Sequence, residues 1–138
     1  MNRCVVLDAE AFSALAGRSD RRSQEVRAAL RAAHRLSREV VVPAVILAEL
    51  YRGPRFNSLV DACLSRETGI QVRDTDRFLA KLVGGVLAAA DSGSEHLADA
   101  HVVAAAVELG GGLVLTTELS DLKRLAAGFR NVKVIEIH

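Results

Sequence analysis

The chain has 138 residues, half of them hydrophobic, and a formal net charge of +1. A domain of this length buries roughly two-thirds of its unfolded surface, so the composition excludes a globally disordered protein. No apolar run approaches the ~18–20 residues that a membrane span requires. We therefore expect one soluble, cytoplasmic domain over residues 1–138 that makes no membrane contact.

Short apolar segments alternate with helical patterns along the chain. Strands are predicted at residues 3–7, 39–42, 70–72, 113–116 and 132–137. Helices are predicted between them, at residues 9–16, 25–37, 45–51, 56–67, 74–90, 97–109 and 120–127. Buried strands separated by helices favour an α/β fold with a parallel sheet and right-handed crossovers. The prediction is a three-layer α/β/α domain.

Three local features leave alternatives open. Gly84-Gly85 interrupts the helical pattern over residues 74–90, and each glycine costs about 1 kcal/mol in a helix interior. A kink, two shorter helices or close packing would each explain the pair. Asp8 is a candidate N-cap of the first helix, and Ser120 or Asp121 is a candidate cap of the last.

Acidic residues stand where a parallel sheet would bring them together. Asp8 follows the first strand, and Glu49 lies about two turns into the helix after the second. Asp99 begins the helix that leads to the fourth strand, which is followed by Glu118 and Asp121. Sites in such sheets form beyond the carboxyl ends of the strands. Converging carboxylates repel one another unless a cation lies among them, so the pattern predicts a hard divalent metal.

Four motifs carry a more specific resemblance. They are the apolar strand ending in Asp8, Pro43-x5-Glu49 with Tyr51-Arg52-Gly53, Ala98-Asp99-Ala100-His101-Val102-Val103-Ala104, and Val114-Leu115-Thr116-Thr117-Glu118-x-x-Asp121-Leu122. In this order and spacing the whole chain resembles the PIN-domain ribonucleases, and more narrowly the VapC-type toxins of type II toxin–antitoxin systems. The resemblance implies strand order 3-2-1-4-5, bound Mg²⁺ or Mn²⁺, a homodimer, and inhibition by a VapB-like antitoxin.

The resemblance also assigns roles to individual residues. It implies catalytic roles for Asp8, Glu49, Asp99 and Glu118, and metal binding by Asp8, Asp99, Glu118 and Asp121. Glu118 departs from the family, which usually has aspartate there, so either Glu118 or Asp121 would supply the fourth carboxylate. Thr116 or Thr117 would hydrogen-bond a carboxylate or the substrate phosphate.

The expected reaction is hydrolysis of RNA. A cation held by Asp8 and Asp99 would activate a water for in-line attack on a phosphodiester, with one metal or two. The resemblance implies a 5′-phosphate and a 3′-hydroxyl as products. The alternative is a non-catalytic PIN-like module that binds RNA or protein, which only Glu118 favours. A phosphatase of the haloacid dehalogenase type is disfavoured because Glu10 replaces its second aspartate.

Several other residues have open or structural interpretations. Residues 18–39 contain seven arginines and three acids, which fits either a polyanion-binding surface or a solvated helix face. Arg52 fits contact with an RNA phosphate or pairing with an acid, and Glu10 is expected to face solvent or a partner chain. His101 is expected to be structural. The remaining histidines, which have no partner at ligand spacing, are His34, His96 and His138.

Two further expectations concern the core and the partner. Cys4 and Cys63 have no CxxC or histidine partner and are expected to be reduced core residues. An aromatic and aliphatic cluster near Tyr51, Phe56 and Leu59 is expected to form a groove for the antitoxin. The antitoxin would insert a basic side chain among the acids.

Overall fold

A single parallel sheet organises the part of the chain described by a computed structural model, residues 4–138. Its strand order is β3-β2-β1-β4-β5, which confirms the predicted fold class and order. Arg3, the predicted start of the first strand, lies outside the described residues. The strands are β1 (Cys4–Leu7), β2 (Glu39–Pro43), β3 (Ile70–Arg73), β4 (Gly112–Thr116) and β5 (Val132–Glu136).

Helices connect each strand to the next one in the sequence. They are α1 (Ala9–Ala16), α2 (Arg21–Arg35), α3 (Ala44–Leu50), α4 (Pro54–Arg66), α5 (Arg77–Ala89), α6 (Leu97–Glu108) and α7 (Leu119–Ala126), with a 3₁₀ turn at Ser94–His96. Right-handed crossovers place α1 to α4 on one face of the sheet and α5 to α7 on the other. In the described residues, no helix is long and apolar enough to cross a membrane.

The direction of the connections reverses at the centre of the sheet. The chain runs outward from β1 through β2 to β3, then crosses back so that β4 pairs with β1 in parallel. All four residues of β1 are buried, because helices cover both faces of this strand. The carboxyl ends of β1 and β4 therefore flank a topological switch point, where ligands bind in folds of this type.

Some helix ends differ from the prediction. α2 begins at Arg21 rather than residue 25, because Asp20 and Ser23 form a reciprocal capping box just before the predicted start. α7 begins at Leu119 with Glu118 as its N-cap, so neither Ser120 nor Asp121 is the cap. Pro43 ends β2 and occupies the N-cap position of α3 without a side-chain hydrogen bond, so that helix begins at Ala44 rather than residue 45.

The glycine pair in α5 does not divide that helix. Arg77–Ala89 is continuous, and a Cβ added at Gly84 or Gly85 would meet no atom within 4 Å. Two separate helices and close packing are therefore both wrong as explanations of the pair. Asp76 caps the helix through a 2.8 Å bond from the Leu79 amide, so the helix starts later than residue 74.

Gly112 allows β1 and β4 to approach closely. It pairs with Cys4 in the parallel ladder, and a Cβ at this position would lie 2.5 Å from the Cys4 carbonyl oxygen. Cys4 and Cys63 are buried free thiols, as expected for core residues. Burial raises the pKa of the Cys4 thiol to about 11, which keeps it protonated and unreactive.

An ion pair fixes the far end of α6, the helix that carries Asp99. Arg73, at the end of edge strand β3, donates from Nε to both carboxylate oxygens of Glu108 at 3.1 Å. Its guanidinium also reaches Asp76, the cap of α5, at 3.2 Å. The contact ties the end of β3, the cap of α5 and the C-terminal end of α6 together.

Candidate metal centre at the carboxyl edge of the sheet

An acidic cavity of about 190 Å³ lies beyond the carboxyl ends of the strands. All five predicted site residues line it, together with Glu10 and Thr116: they are Asp8, Glu49, Asp99, Glu118 and Asp121. These side chains come from the end of β1, from α3, from α6 and from the start of α7, and they meet because β1 and β4 end beside each other at the switch point.

Asp8 is the most deeply buried of these acids, with 4% of its surface exposed. Its Oδ1 accepts a 2.8 Å hydrogen bond from the Ala11 amide and so caps α1. Burial raises the pKa of Asp8 to about 6, against the opposing effects of the Thr116 hydroxyl and the Ala11 amide. The cap and a site position are therefore compatible, although the sequence suggested them as alternatives.

Asp99 and Glu49 repel each other across the cavity. Burial, followed by the charge of Asp121, raises the pKa of Asp99. Burial, followed by the charge of Asp99, raises the pKa of Glu49, and Arg52 opposes that shift. The charge of Asp121 thus raises the pKa of Asp99, and the charge of Asp99 raises the pKa of Glu49, so a cation among these carboxylates would stabilise them.

Glu118 and Asp121 occupy the cavity wall in different ways. Glu118 Oε1 accepts a 2.9 Å hydrogen bond from the Ser120 hydroxyl and caps α7. Asp121 lies in the first turn of that helix, and its carboxylate is within 4.8 Å of ligand atoms of Asp99 and His96. Asp121 is thus the better placed of the two to share a cation with Asp99.

His96 is a site neighbour that the sequence analysis missed. Its imidazole, the Asp99 carboxylate and the Asp121 carboxylate offer ligand atoms that all lie within 4.8 Å of one another. The expectation that His96 has no partner at ligand spacing was therefore wrong. The signal was the three-residue separation of His96 and Asp99, because residues three apart on a helical turn are neighbours.

Glu10 is a second addition to the site. It is exposed to solvent as expected, but it also lines the acidic cavity and raises the pKa values of Asp8 and Asp99. Its Oε2 accepts a 3.1 Å hydrogen bond from the Thr117 hydroxyl. Thr116 instead exchanges hydrogen bonds with the backbone of Glu118, which holds the turn after β4. The sequence signal for this position was that Glu10 follows the buried end of β1 by only three residues, close to the edge of the sheet where the site lies.

Other polar residues that the sequence singled out have local partners. His101 is 5% exposed, and its Nδ1 bonds to the Leu97 carbonyl at 2.8 Å, consistent with a structural role. Arg52 donates to the Ala48 and Tyr51 carbonyls at the end of α3.

The residues around the cavity match the chemistry of a divalent cation. Carboxylate oxygens are the ligands that Mg²⁺ and Mn²⁺ prefer, and an imidazole at the rim adds affinity for transition metals. Among the described residues, His96, Asp99 and Asp121 have ligand atoms close enough to share one ion, whereas Asp8, Glu49 and Glu118 line the cavity outside that group.

The comparisons with known proteins identify the family. The family model of the PIN domain matches residues 5–128. The chain belongs to the PIN domain family, and this confirms the resemblance drawn from its motifs. No curated protein gives a significant match to the sequence.

Two solved structures share the fold. One is the crystal structure of VapBC2 from Rickettsia felis bound to a DNA fragment from their promoter, at 14% identity and a TM-score of 0.68 over 98% of this chain and 99% of that chain. The other is a toxin–antitoxin complex from Klebsiella pneumoniae, at 16% identity and a TM-score of 0.64 over 96% and 99% of the two chains. At these identities the similarity establishes a common fold.

Proposed function

We propose that this protein is a metal-dependent endoribonuclease that hydrolyses RNA phosphodiester bonds and is the toxin of a toxin–antitoxin pair. The observation that carries the proposal is the meeting of Asp8, Glu49, Asp99, Glu118 and Asp121 around one cavity. Membership of the PIN domain family supports a nuclease. Similarity to chains from toxin–antitoxin complexes supports the toxin assignment.

Each acid has a proposed task in hydrolysis. Asp8, Asp99 and Asp121 would hold Mg²⁺ or Mn²⁺, with Glu118 as a fourth carboxylate and His96 beside Asp99 and Asp121. The bound cation would supply Lewis-acid stabilisation of the phosphate and lower the pKa of water. Glu49 accepts a proton from the attacking water through a carboxylate oxygen, a task that its raised pKa favours.

Cleavage of total cellular RNA tests this function. The purified protein should cut RNA with Mg²⁺ or Mn²⁺ and lose activity in EDTA. Asp99→Asn should reduce the rate by a factor of about 100 or more, because it removes a ligand with little change in size. Asp91→Asn is the matched control, since this exposed residue lies outside the acidic cavity and has φ of 51°, which asparagine tolerates.

The outcomes separate a nuclease from the non-catalytic alternative. Equal loss in both variants would contradict the assigned role of Asp99. Tight Mn²⁺ binding by calorimetry without cleavage of any RNA would favour a binding module that retains the site. Absence of both metal binding and cleavage would contradict the proposal as a whole.

We also propose a docking site for the antitoxin. An apolar groove of about 120 Å³ lies between α1 and α4, lined by Phe12, Leu50, Phe56, Leu59 and Val60 among others. Phe56 and Leu59 are 49% and 44% exposed, which is costly without a partner. Tyr51 is not part of the lining; its hydroxyl donates a 2.6 Å hydrogen bond to Asp61.

The groove lies beside the acidic cavity because both adjoin α1. An apolar antitoxin segment in the groove would bring a following basic side chain to the acids. Phe56→Ser with Leu59→Ser should weaken binding of the cognate antitoxin by a factor of about 100. Leu36→Ser, at a residue 58% exposed outside the groove, is the control. Unchanged binding by the folded double variant would refute this docking site.

A further inference from the structure

A basic groove lies at the end of the strands opposite the acidic cavity. Its volume is about 440 Å³, more than twice the 190 Å³ of the acidic cavity. The C-terminal part of α2, the start of β2 and the segment between α4 and β3 form its walls. Four arginines line it against a single glutamate: Arg31, Arg35, Arg38 and Arg66 against Glu67.

Most of this positive charge is not neutralised within the chain. Glu67 is shared between Arg66 at 3.7 Å and Arg27 at 3.9 Å. Within residues 4–138, no carboxylate lies within 4.0 Å of the guanidinium groups of Arg31, Arg35 and Arg38. Arg66 also donates to the Leu15 carbonyl at 3.2 Å, so the guanidinium of Arg66 is held in position in the wall of the groove.

A purely structural reason accounts for only part of the cluster. Positive side chains in the last turn of a helix stabilise its dipole, which explains Arg35 in α2 and Arg66 in α4. Arg31 lies a turn earlier, and Arg38 lies between the end of α2 and the first residue of β2. These two arginines point to a ligand rather than to helix stabilisation.

The chemistry of the groove suits the sugar–phosphate backbone. Guanidinium groups bind phosphate oxygens through paired hydrogen bonds. Leu30 and Val40 provide an apolar floor for the nonpolar face of a ribose or base. The acidic cavity itself repels phosphates, so much of the affinity for a polyanion has to come from elsewhere on the surface.

We infer that the basic groove is a second RNA-binding site that holds the substrate away from the bond to be cut. This inference rests on the proposed ribonuclease function. β2 has five residues, and at about 3.3 Å per residue the two sites lie roughly 15 Å or more apart. The groove thus contacts a part of the RNA remote from the reacting phosphate and favours long or structured RNA over short fragments.

RNA binding in EDTA tests the groove without cleavage. Fluorescence anisotropy with a labelled RNA of about 20 nucleotides would compare the wild type with Arg31→Ala/Arg38→Ala. The matched control is Arg21→Ala/Arg22→Ala, which removes the same charge from the exposed start of α2, outside the groove. We expect the dissociation constant to rise about tenfold for the groove variant and less than about twofold for the control.

The salt dependence gives a second readout. Loss of two phosphate contacts should reduce the slope of log K against log salt by about 1.4, since each contact with a single strand contributes about 0.7. With Mg²⁺, the groove variant should raise KM and leave kcat unchanged, because it removes binding that the ground state and transition state share. Mn²⁺ affinity should not change.

Several results would overturn the inference. Equal weakening in both variants would mean that only overall charge matters. Competition by polyglutamate as strong as by RNA of equal charge would indicate an acidic protein partner, and a changed sedimentation mass would indicate contact between copies of the chain. RNA binding that depends on these arginines, without cleavage by the wild type, would uphold the groove and refute the ribonuclease. Cleavage of RNA by the wild type, together with unchanged RNA binding in the groove variant, would uphold the ribonuclease and refute the groove.

Discussion

Asp8 combines two tasks that usually fall to different residues. Its carboxylate caps α1 through the Ala11 amide and also lines the acidic cavity. The sequence placed Asp8 at the end of β1, where both tasks are sterically available. The sequence did not reveal that the Asp8 carboxylate serves as both helix cap and cavity wall, because the cavity forms only where β4 and α6 pack beside Asp8. Local order along the chain was readable, whereas the distances between elements were not.

Replacement of Asp8 by asparagine should stabilise the metal-free protein at neutral pH. The pKa of Asp8 rises from 3.8 to about 6 on folding, so the folded state binds the proton more tightly than the unfolded state. That contribution is complete below pH 3.8 and is lost as the pH rises through about 6. Asparagine is neutral and still caps the helix, so Asp8→Asn should gain on the order of 2–3 kcal/mol in the free energy of unfolding near pH 7.5.

Urea unfolding in EDTA from about pH 4.5 to 8 measures this difference. The gain should shrink towards low pH, where the wild-type carboxyl is already protonated. Added Mn²⁺ should stabilise the wild type and not the variant, because binding to the folded state raises stability by mass action. A variant less stable than the wild type at every pH would contradict a strained, buried charge at Asp8.

His96 should make the site favour Mn²⁺ over Mg²⁺. Its ring lies within 4.8 Å of ligand atoms of Asp99 and Asp121, and imidazole binds Mn²⁺ more readily than it binds Mg²⁺. His96→Asn should therefore weaken Mn²⁺ binding by about tenfold or more and change Mg²⁺ binding little. Calorimetry with each ion measures this, and electron spin echo spectroscopy of bound Mn²⁺ should lose its nitrogen coupling. A wild-type spectrum without that coupling would exclude His96 as a ligand.

At the level of elements, the sequence predicted every helix and strand but misjudged some helix ends. Two of these errors came from caps that use residue types unusual for their positions. Ser23 completes the capping box of α2 in place of the usual Glu or Gln. Glu118 caps α7 although glutamate is not a favoured N-cap. The strands were easier, because buried parallel strands are short apolar runs with few alternative interpretations.

The glycine pair in α5 should be a source of instability. Gly84 and Gly85 are exposed within a continuous helix, and neither position is crowded. Alanine loses less conformational entropy on folding, so Gly85→Ala should raise the free energy of unfolding by about 0.5–1 kcal/mol. Thermal unfolding of the variant provides the measurement, with Ala88→Gly, at an exposed position in the same helix, as the inverse control. Destabilisation by Gly85→Ala would instead indicate that this side of α5 contacts another chain.

At the scale of the whole molecule, the parallel sheet explains why scattered motifs predict one site. Strand order alone brings the ends of β1 and β4 together, so acids over a hundred residues apart meet. The basic groove was less predictable. The sequence located the arginines of residues 18–39, but Arg66 joins them only because the C-terminal ends of α2 and α4 lie side by side. That packing leaves no signature in either helix alone.

The expected homodimer is a prediction at this scale. Phe78 on α5 is 61% exposed, and Val72 on the preceding edge strand is 41% exposed, which favours a contact through this region. Sedimentation equilibrium should give twice the 14.8 kDa of one chain. Phe78→Ser should shift the mass towards that of the monomer, whereas Leu36→Ser should not. A monomeric wild type at about 100 μM would contradict the prediction.

The acidic cavity and the basic groove place opposite charges at the two ends of the strands in this nearly neutral molecule, and so contribute an electric dipole along the strands. The net charge of +1 conceals this separation. Near a polyanion the protein would experience a torque that turns its basic end towards the polyanion before contact. The isoelectric point near 7.9 would therefore understate the attraction between the protein and the polyanion. Binding of a divalent cation would reduce the negative pole and with it the torque. Metal uptake would therefore weaken the orientation of the protein before it meets RNA, in addition to any chemistry that the cation supplies.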